Sequence, residues 1–440
     1  MLFLWTLNIN LMSNSKSNTT PAIVVMFALF FMIAFVTNFA GSMGVIVSNQ
    51  FGASPALSQL GTLANFIAYA CMGIPAGIIL KRKGYKFTSL AAVTVGFVGV
   101  GVQWIAGPAQ SFLIYVIGAF IAGFSMCMLN IVVNPMLNTL GGGGNKGNRL
   151  IQLGGSCNSI GGTIAPVLLG FLIGGEAAEA KVADAAPAML IAMAIFALAF
   201  VIIILTDIPE PHMETPEEKK ARKEGKVIRD KYSPLSFRHF VLGAVAIFFY
   251  VGIEVGIPNM ANLYMSNELD IPTVAGAIVG LYWLSMMIGR LIGSAIGGKV
   301  SSKVMLAVTA SVVVVLLILV MFLPKEIQIT IPAIKFLNLK DPAQIPVSMF
   351  LMFLCGLFTS VMWGSIFNLS AEGLGKYTAL ASGIFMTLVC GGGIIPFLQG
   401  LIAKSAGYLM SYWLLVGCLI YLVFYALIGS KNVNKDIPTE

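Results

Sequence analysis

Few residues in this chain can do chemistry, and where they fall is informative. Glu254 is the single carboxylate deep inside an apolar run. An anion there is costly, and a buried carboxylate is the usual device for carrying a proton. Asn130 and Asn134 are spaced i,i+4 and share one face of a helix. Glu254 and Asn262 are eight residues apart and roughly aligned, with Asn259 between them. Asn38, Asn65, Gln152, Asn158, Trp363 and Asn368 also interrupt apolar runs. In hydrocarbon each such group must pair with another or face a wet cavity, so each is a ligand contact or a tie between helices. Asn134 precedes Pro135 and reads as structural. No His, Cys or carboxylate cluster exists for an enzyme to use, and the loop Gly141-Gly-Gly-Gly144 lacks the ending of a phosphate-binding loop.

The elements that hold these residues are membrane helices. Of 440 residues, 58% are hydrophobic and 10% charged, where a soluble domain has roughly 25% charged. Apolar runs of about 20 residues, split by short polar joints, specify a polytopic α-helical membrane protein. No polar stretch is long enough to cover a soluble core of this composition. The net charge of +8 reflects loop residues and does not point to nucleic acid. The six cysteines lie in apolar runs without a CxxC pair, so they read as small packing residues, and no metal or other cofactor is expected. The first residues lack the cationic start and cleavage site of a signal peptide, and translation from Met1 or from Met12 stays open.

Twelve spans are predicted, near 20–46, 57–80, 88–107, 111–138, 150–175, 187–206, 239–265, 273–297, 303–323, 346–370, 377–403 and 409–429. The expected organisation is a tail over 1–19, a six-helix bundle over 20–206, a linker over 207–238, a second six-helix bundle over 239–429 and a tail over 430–440. Cationic residues set the orientation. With both termini cytoplasmic, twenty Lys and Arg fall inside, among them Lys81, Arg82, Arg149 and Lys376, and five fall outside. Glu372 and Lys376 stand i,i+4 and read as a helical ion pair. A weak repeat supports two halves: Gly161-Gly-Thr-Ile-Ala-Pro-Val-Leu-Leu-Gly170 and Gly391-Gly-Gly-Ile-Ile-Pro-Phe-Leu-Gln-Gly400 agree at six of ten positions, each in the fifth span of its half.

Several segments, taken in order, resemble the major facilitator superfamily. They are Ile74-Pro-Ala-Gly-Ile-Ile-Leu-Lys-Arg-Lys-Gly-Tyr-Lys86, Asn134-Pro135, Arg149 opening span 5, Tyr250-Val-Gly252, Ile288-Gly-Arg290 and Gly391-Gly-Gly-Ile394. Within that family the chain is similar to the bacterial fucose permease and glucose/galactose porter group, over roughly 20–429. The resemblance implies an all-α fold of two bundles that rock around a central polar cavity, moving a small monosaccharide inward, with a proton in several members. It places the protein in a bacterial inner membrane, where the lipid bilayer and a sugar are its partners; the oligomeric state stays open, a monomer included. Sugar recognition needs short polar groups and an aromatic face, which gives Asn38, Asn130, Asn158, Glu254, Asn259, Asn262 and Trp363 as substrate-binding residues. Trp363 falls on an aromatic of the fucose permease cavity, and Asn38 and Asn158 fall on its asparagines. Arg290, flanked by glycine at the inner end of span 8, falls in a gate motif whose partner lies across the inner face; Lys81, Arg82 and Arg149 are read the same way.

The chain departs from the fucose permease pattern. The Asp of span 1 and the Glu of span 4 correspond to Gly41 and Asn130, and Glu254 stands where the permease has a neutral amide. Glu254 is therefore expected to serve as both sugar ligand and proton site. The alternatives are a sugar uniporter, or a proton- or sodium-coupled transporter of an acidic sugar such as sialic acid, which would need Arg290 or Arg149 to reach the cavity. A membrane enzyme and a receptor on a transporter fold are disfavoured.

Overall fold

The computed structural model describes residues 19–51, 60–172, 181–223, 231–337 and 339–439. The expectations at Met1 and Met12 lie outside them. Almost everything described is helix, as hydrocarbon demands of a backbone that must satisfy its own hydrogen bonds. The first half of the chain holds α1 (Thr20–Phe51), α2 (Leu60–Ala109), α3 (Phe112–Leu140), α4 (Gly144–Leu172) and α5 (Ala186–Leu205). A short polar helix, α6 (Pro216–Lys223), follows. The second half holds α7 (Arg238–Asn267), α8 (Pro272–Ile296), α9 (Ser302–Phe322), α10 (Val347–Thr359), α11 (Met362–Ala371), α12 (Thr378–Thr387), α13 (Gly391–Ala406) and α14 (Tyr412–Phe424).

Among the described residues, ten helical segments are long and apolar enough to cross a membrane. Helix α2 counts once there although it has two arms. Its ladder breaks at Gly84, whose φ of 85° and ψ of 178° suit only glycine. The break falls in the joint expected between spans 2 and 3. Helix α4, 29 residues long, is not among the ten.

Three details depart from the sequence reading. Span 10 is two helices, α10 and α11, separated at Ser360 and Val361. Both Thr359 and Ser360 turn their hydroxyls back onto carbonyls three residues earlier, Gly356 and Leu357, a habit that bends helices. Glu372 and Lys376 do not share a helix, since α11 ends at Ala371 and Gly373 and Gly375 take positive φ. Finally, a small antiparallel hairpin, β1 (Gln328–Ile331) with β2 (Ala343–Pro346), joins α9 to α10. Leu337 in its loop fills the notch at Gly280 of α8.

The repeat has a structural counterpart. Gly161 of α4 lies against the backbone carbonyl of Phe31 in α1, and Gly391 at the start of α13 lies against that of Phe248 in α7. In both places a side chain would push the helices apart, so the glycines permit the close approach.

The start of α1, residues 207–223 and the C-terminal residues gather at one end of the helices, here called the terminal end. There the chain between the halves is clasped to α2. The Glu210 carboxylate accepts from the backbone amides of Tyr85 and Lys86 (2.9 Å for the latter). The Tyr85 hydroxyl meets His212 Nδ1 at 2.5 Å. Lys86 Nζ donates to the carbonyls of Ile204 and Thr206, and Lys81 pairs with Glu218 at 3.4 Å. The C-terminal residues cover the second half in the same way. Asn434 accepts from the Arg238 amide, Thr439 accepts from the Lys376 amide, and His239 Nε2 bonds the Glu372 carbonyl.

Candidate functional site

The polar groups converge where the two halves meet, and Arg290 is at the centre. In a helix the side chain leans toward the N-terminus. Helix α8 runs toward the terminal end, so Arg290, some two turns before the helix finishes, points back into the middle of the molecule. Its NH2 group lies 3.1 Å from Glu254 Oε1 of α7, and both side chains are largely buried, 11% and 14% exposed. Its NH1 group donates to the Gly155 carbonyl (3.0 Å), Asn158 Oδ1 (3.3 Å) and Ser159 Oγ (2.7 Å), all on α4, and Nε donates to the Ser360 carbonyl (3.4 Å). A guanidinium is suited to this, because its donors fan out in one plane toward several acceptors. The ionic partner of Arg290 is Glu254, the intramembrane acid; of its other bonds, three cross to α4 and one goes to the Ser360 carbonyl.

Further bonds tie the halves beside this knot. Gln152 Nε2 on α4 donates to the Val361 carbonyl (2.8 Å), at the break between α10 and α11. Trp363 Nε1, on the first turn of α11, donates to Asn134 Oδ1 of α3 at 2.9 Å. Asn134, read from its proline as structural, is thus the residue that anchors the indole. The indole is only partly buried and meets Tyr250 and Phe385 edge-on, at centroid distances of 6.2 and 6.1 Å. Tyr282 donates to the Glu254 carbonyl and reaches Thr359 Oγ1, fixing the α7–α8 contact at the carboxylate's own residue.

The other named residues are placed as follows. The amide of Asn130 donates to the Tyr69 hydroxyl (2.9 Å) and the Met126 carbonyl. Asn158 is spent at both ends, its Nδ2 on the Phe30 carbonyl of α1 and its Oδ1 on Arg290. Asn38 donates to the Ala34 carbonyl and packs against Gly162. Asn259 and Asn262 are exposed on the part of α7 beyond Glu254, away from the terminal end. Lys81 faces Glu218, Arg82 is exposed, and Arg149 lies against Gly297 and Gly298 after α8.

Sequence reasoning passed over Ser159, Ser360 and Val361, and read Tyr250 only as part of a family segment. The back-bonding pair Thr359-Ser360 was the one local signal for the helix break that presents two carbonyls to α4.

These features form a polar knot in a helical membrane protein, closed at the terminal end. Residues 25–396 match the family model described as Major Facilitator Superfamily. The chain belongs to the major facilitator superfamily. It is 31% identical over 432 residues to the glucose/galactose transporter of Brucella abortus, covering 96% of this chain and 97% of that protein. It is 23% identical over 413 residues to the L-fucose-proton symporter of Escherichia coli, covering 87% and 88%. Its fold is similar to the crystal structure of the superfamily transporter FucP in the outward conformation. The TM-score is 0.75 at 19% identity, over 93% of this chain and 99% of that one. This chain is therefore a multi-pass transporter of that superfamily and not an enzyme.

Proposed function

We propose that this transporter imports a neutral monosaccharide by alternating access with a proton, Glu254 being the protonatable group. The reading takes the chain as twelve spans in two six-helix bundles, residues 20–206 and 239–429, with both termini in the cytoplasm. Relatives that carry glucose, galactose and fucose support the substrate class. The observation that carries the mechanism is the division of Arg290's bonds: two in its own half, to Glu254 and to the Ser360 carbonyl, and three to α4 in the other.

While Glu254 is ionised, the pair is neutral and Arg290 can leave α4 without stranding a charge. Once Glu254 is protonated, the guanidinium keeps only neutral acceptors, and most of those are on α4. The protonated empty carrier is then held closed at the terminal end, which prevents a proton leak. A bound sugar supplies the contacts that let it open, and proton release on the cytoplasmic side restores the neutral pair for the return. The Nε and NH1 donors of Arg290 are occupied and its charge is paired with Glu254, which argues against an acidic sugar.

The test is uptake into proteoliposomes of labelled D-glucose, D-galactose, L-fucose and N-acetylneuraminate, with and without an inward proton gradient. A neutral hexose should accumulate only with the gradient, and Glu254→Gln should equilibrate it without accumulation. Accumulation by Glu254→Gln equal to wild type would remove Glu254 from the mechanism. Gradient-independent equilibration by the wild type would make the protein a uniporter.

A further inference from the structure

We infer that Ser365 is a positioning residue of the gate at the terminal end: its hydroxyl takes over the Val361 carbonyl when Gln152 leaves it. The inference rests on the preceding reading that this end opens to release the sugar, and it names a residue that eases the opening. Ser365 is fully buried on α11, and its Oγ has no hydrogen-bond partner among the described residues. A buried hydroxyl in that position is uncommon and unfavourable.

Its neighbours explain why the hydroxyl is unpaired. A helical serine can satisfy itself by turning its hydroxyl onto the carbonyl four residues earlier. Ser370, on the same helix, does so to Ile366 at 2.6 Å, and Ser156 on α4 does so to Gln152 at 3.1 Å. For Ser365 that carbonyl belongs to Val361. It already accepts twice: from the Ser365 amide at 3.2 Å, where α11 begins, and from Gln152 Nε2 of the other half at 2.8 Å. A carbonyl oxygen has two lone pairs, so the closed seam leaves the hydroxyl nothing at its usual place.

The facing helix is shaped to make this competition. Gly364 stands opposite Gln152, and a side-chain carbon there would lie 2.8 Å from Gln152 Nε2 and 2.9 Å from Asn148 Oδ1. Asn148, one turn along α4 toward the terminal end, is also half satisfied. Its Oδ1 accepts from Gln152 at 3.4 Å, while its Nδ2 is buried without a partner among the described residues. Parting α4 from α11 takes no bond from the Ser365 hydroxyl or from Asn148. It frees the Val361 carbonyl beside the Ser365 hydroxyl and gives Asn148 and Gln152 access to water. The Ser365 O–H then donates to Val361. One bond between the halves is exchanged for one within α11, and the carbonyl is satisfied in both states. The hydroxyl therefore stabilises the open arrangement and contributes no bond to the closed one, which shifts the balance between them.

The test is Ser365→Ala, which removes a hydroxyl that bonds nothing in the closed form. The purified variant should melt no lower than wild type. In a Gln152→Ala background the Val361 carbonyl is free and the serine bonds it in the closed form too, so there the same substitution should lower the melting temperature. This change of sign is a coupling that a merely packed serine would not show. Spin labels at Lys146→Cys and Glu372→Cys, both exposed at the terminal end, report the gap between α4 and α11. With D-glucose or D-galactose as probe, the widened fraction should fall about fivefold in Ser365→Ala, as loss of one neutral hydrogen bond allows. Maximal uptake should fall with it, and the sugar concentration giving half-maximal uptake should not rise. A melting temperature lowered equally by Ser365→Ala in both backgrounds would overturn the inference, and so would an unchanged widened fraction; either result leaves the transport reading standing. A label pair that never widens in the otherwise wild-type protein, with either sugar or none, would overturn both.

Discussion

Two seams join the halves at the terminal end, and they are built on opposite principles. In one, the first arm of α2 meets α12 through Gly73, Gly77, Ala379, Gly383 and Thr387. The backbones are so close that a side-chain carbon at Gly383 would stand 2.7 Å from the Gly73 carbonyl oxygen and 3.0 Å from the Gly77 Cα. Nothing ionisable takes part in those contacts. In the other seam, α4 meets α8 and the α10–α11 break through Arg290, Gln152, Asn158 and Ser159, with Glu254 behind. The first seam is held by shape and dispersion, which do not depend on protonation. The second is held by charge and hydrogen bonds, whose strength depends on one proton. A transporter needs both: a surface that always fits when closed, and a latch whose hold can change.

The comparison can be broken from either side. The largest effect is expected from Arg290→Ala, which strands a buried carboxylate and removes every bond to α4 from α8; about 3–5 kcal/mol of stability should be lost, with transport abolished. Arg290→Lys should not restore transport, because an ammonium lacks the planar fork. Replacing both Arg290 and Glu254 with Met should recover most of the thermal stability and none of the transport. Unchanged melting in Arg290→Ala would show that the polar seam carries no weight. Next comes Gly383→Val, an overpacked shape seam costing about 1–3 kcal/mol. Its loss of transport should be the same at every pH, and spin labels on α2 and α12 should report a wider gap. A pH-dependent defect there would erase the distinction between the seams.

Smaller effects sharpen it. Gln152→Ala removes one neutral bond between the halves, to the Val361 carbonyl, worth about 1 kcal/mol, and should alter the maximal uptake rate several-fold while sparing the pH profile. The smallest effect on transport is expected at the clasp. Burial lowers His212 from 6.5 to about 4, so it sits neutral against Tyr85. A base depressed in this way contributes stability above 6.5 that is lost as pH falls toward 4. Burial raises the neighbouring Glu210 carboxyl, which acts in the opposite sense. The clean readout is the difference between wild type and His212→Asn. Wild type should lose thermal stability relative to the variant as pH falls from 6.5 to 4, and a parallel pair of curves would remove His212 from the clasp.

Much of the fold was legible because hydrocarbon leaves few choices. Apolar runs gave the helices, and the Gly161 and Gly391 segments pointed to a repeat that now has matching contacts. The site was less legible. Glu254 stood out as the lone acid, but its partner did not, because Arg290 sits two turns from a helix end and only the lean of its side chain carries it inward. Asn130 and Asn158 look the same in sequence as Asn259 and Asn262, yet the first two are spent on other helices and the last two are exposed. Amide chemistry is identical in both roles, so spacing along one chain does not separate tie from ligand. The carbonyls of Ser360 and Val361 carry no side-chain signature.

The clasps at the terminal end bear on how the polypeptide could be divided. Residues 207–223 finish the first half by capping α2 through Glu210, and the C-terminal residues finish the second by bonding Arg238 and Lys376. Each half thus keeps its own cover, and no described hydrogen bond of either cover reaches into the other half. Two polypeptides produced separately and parted within 224–230 would each emerge already sealed at that end, and would need only the glycine seam and the Arg290 latch to find one another in the bilayer.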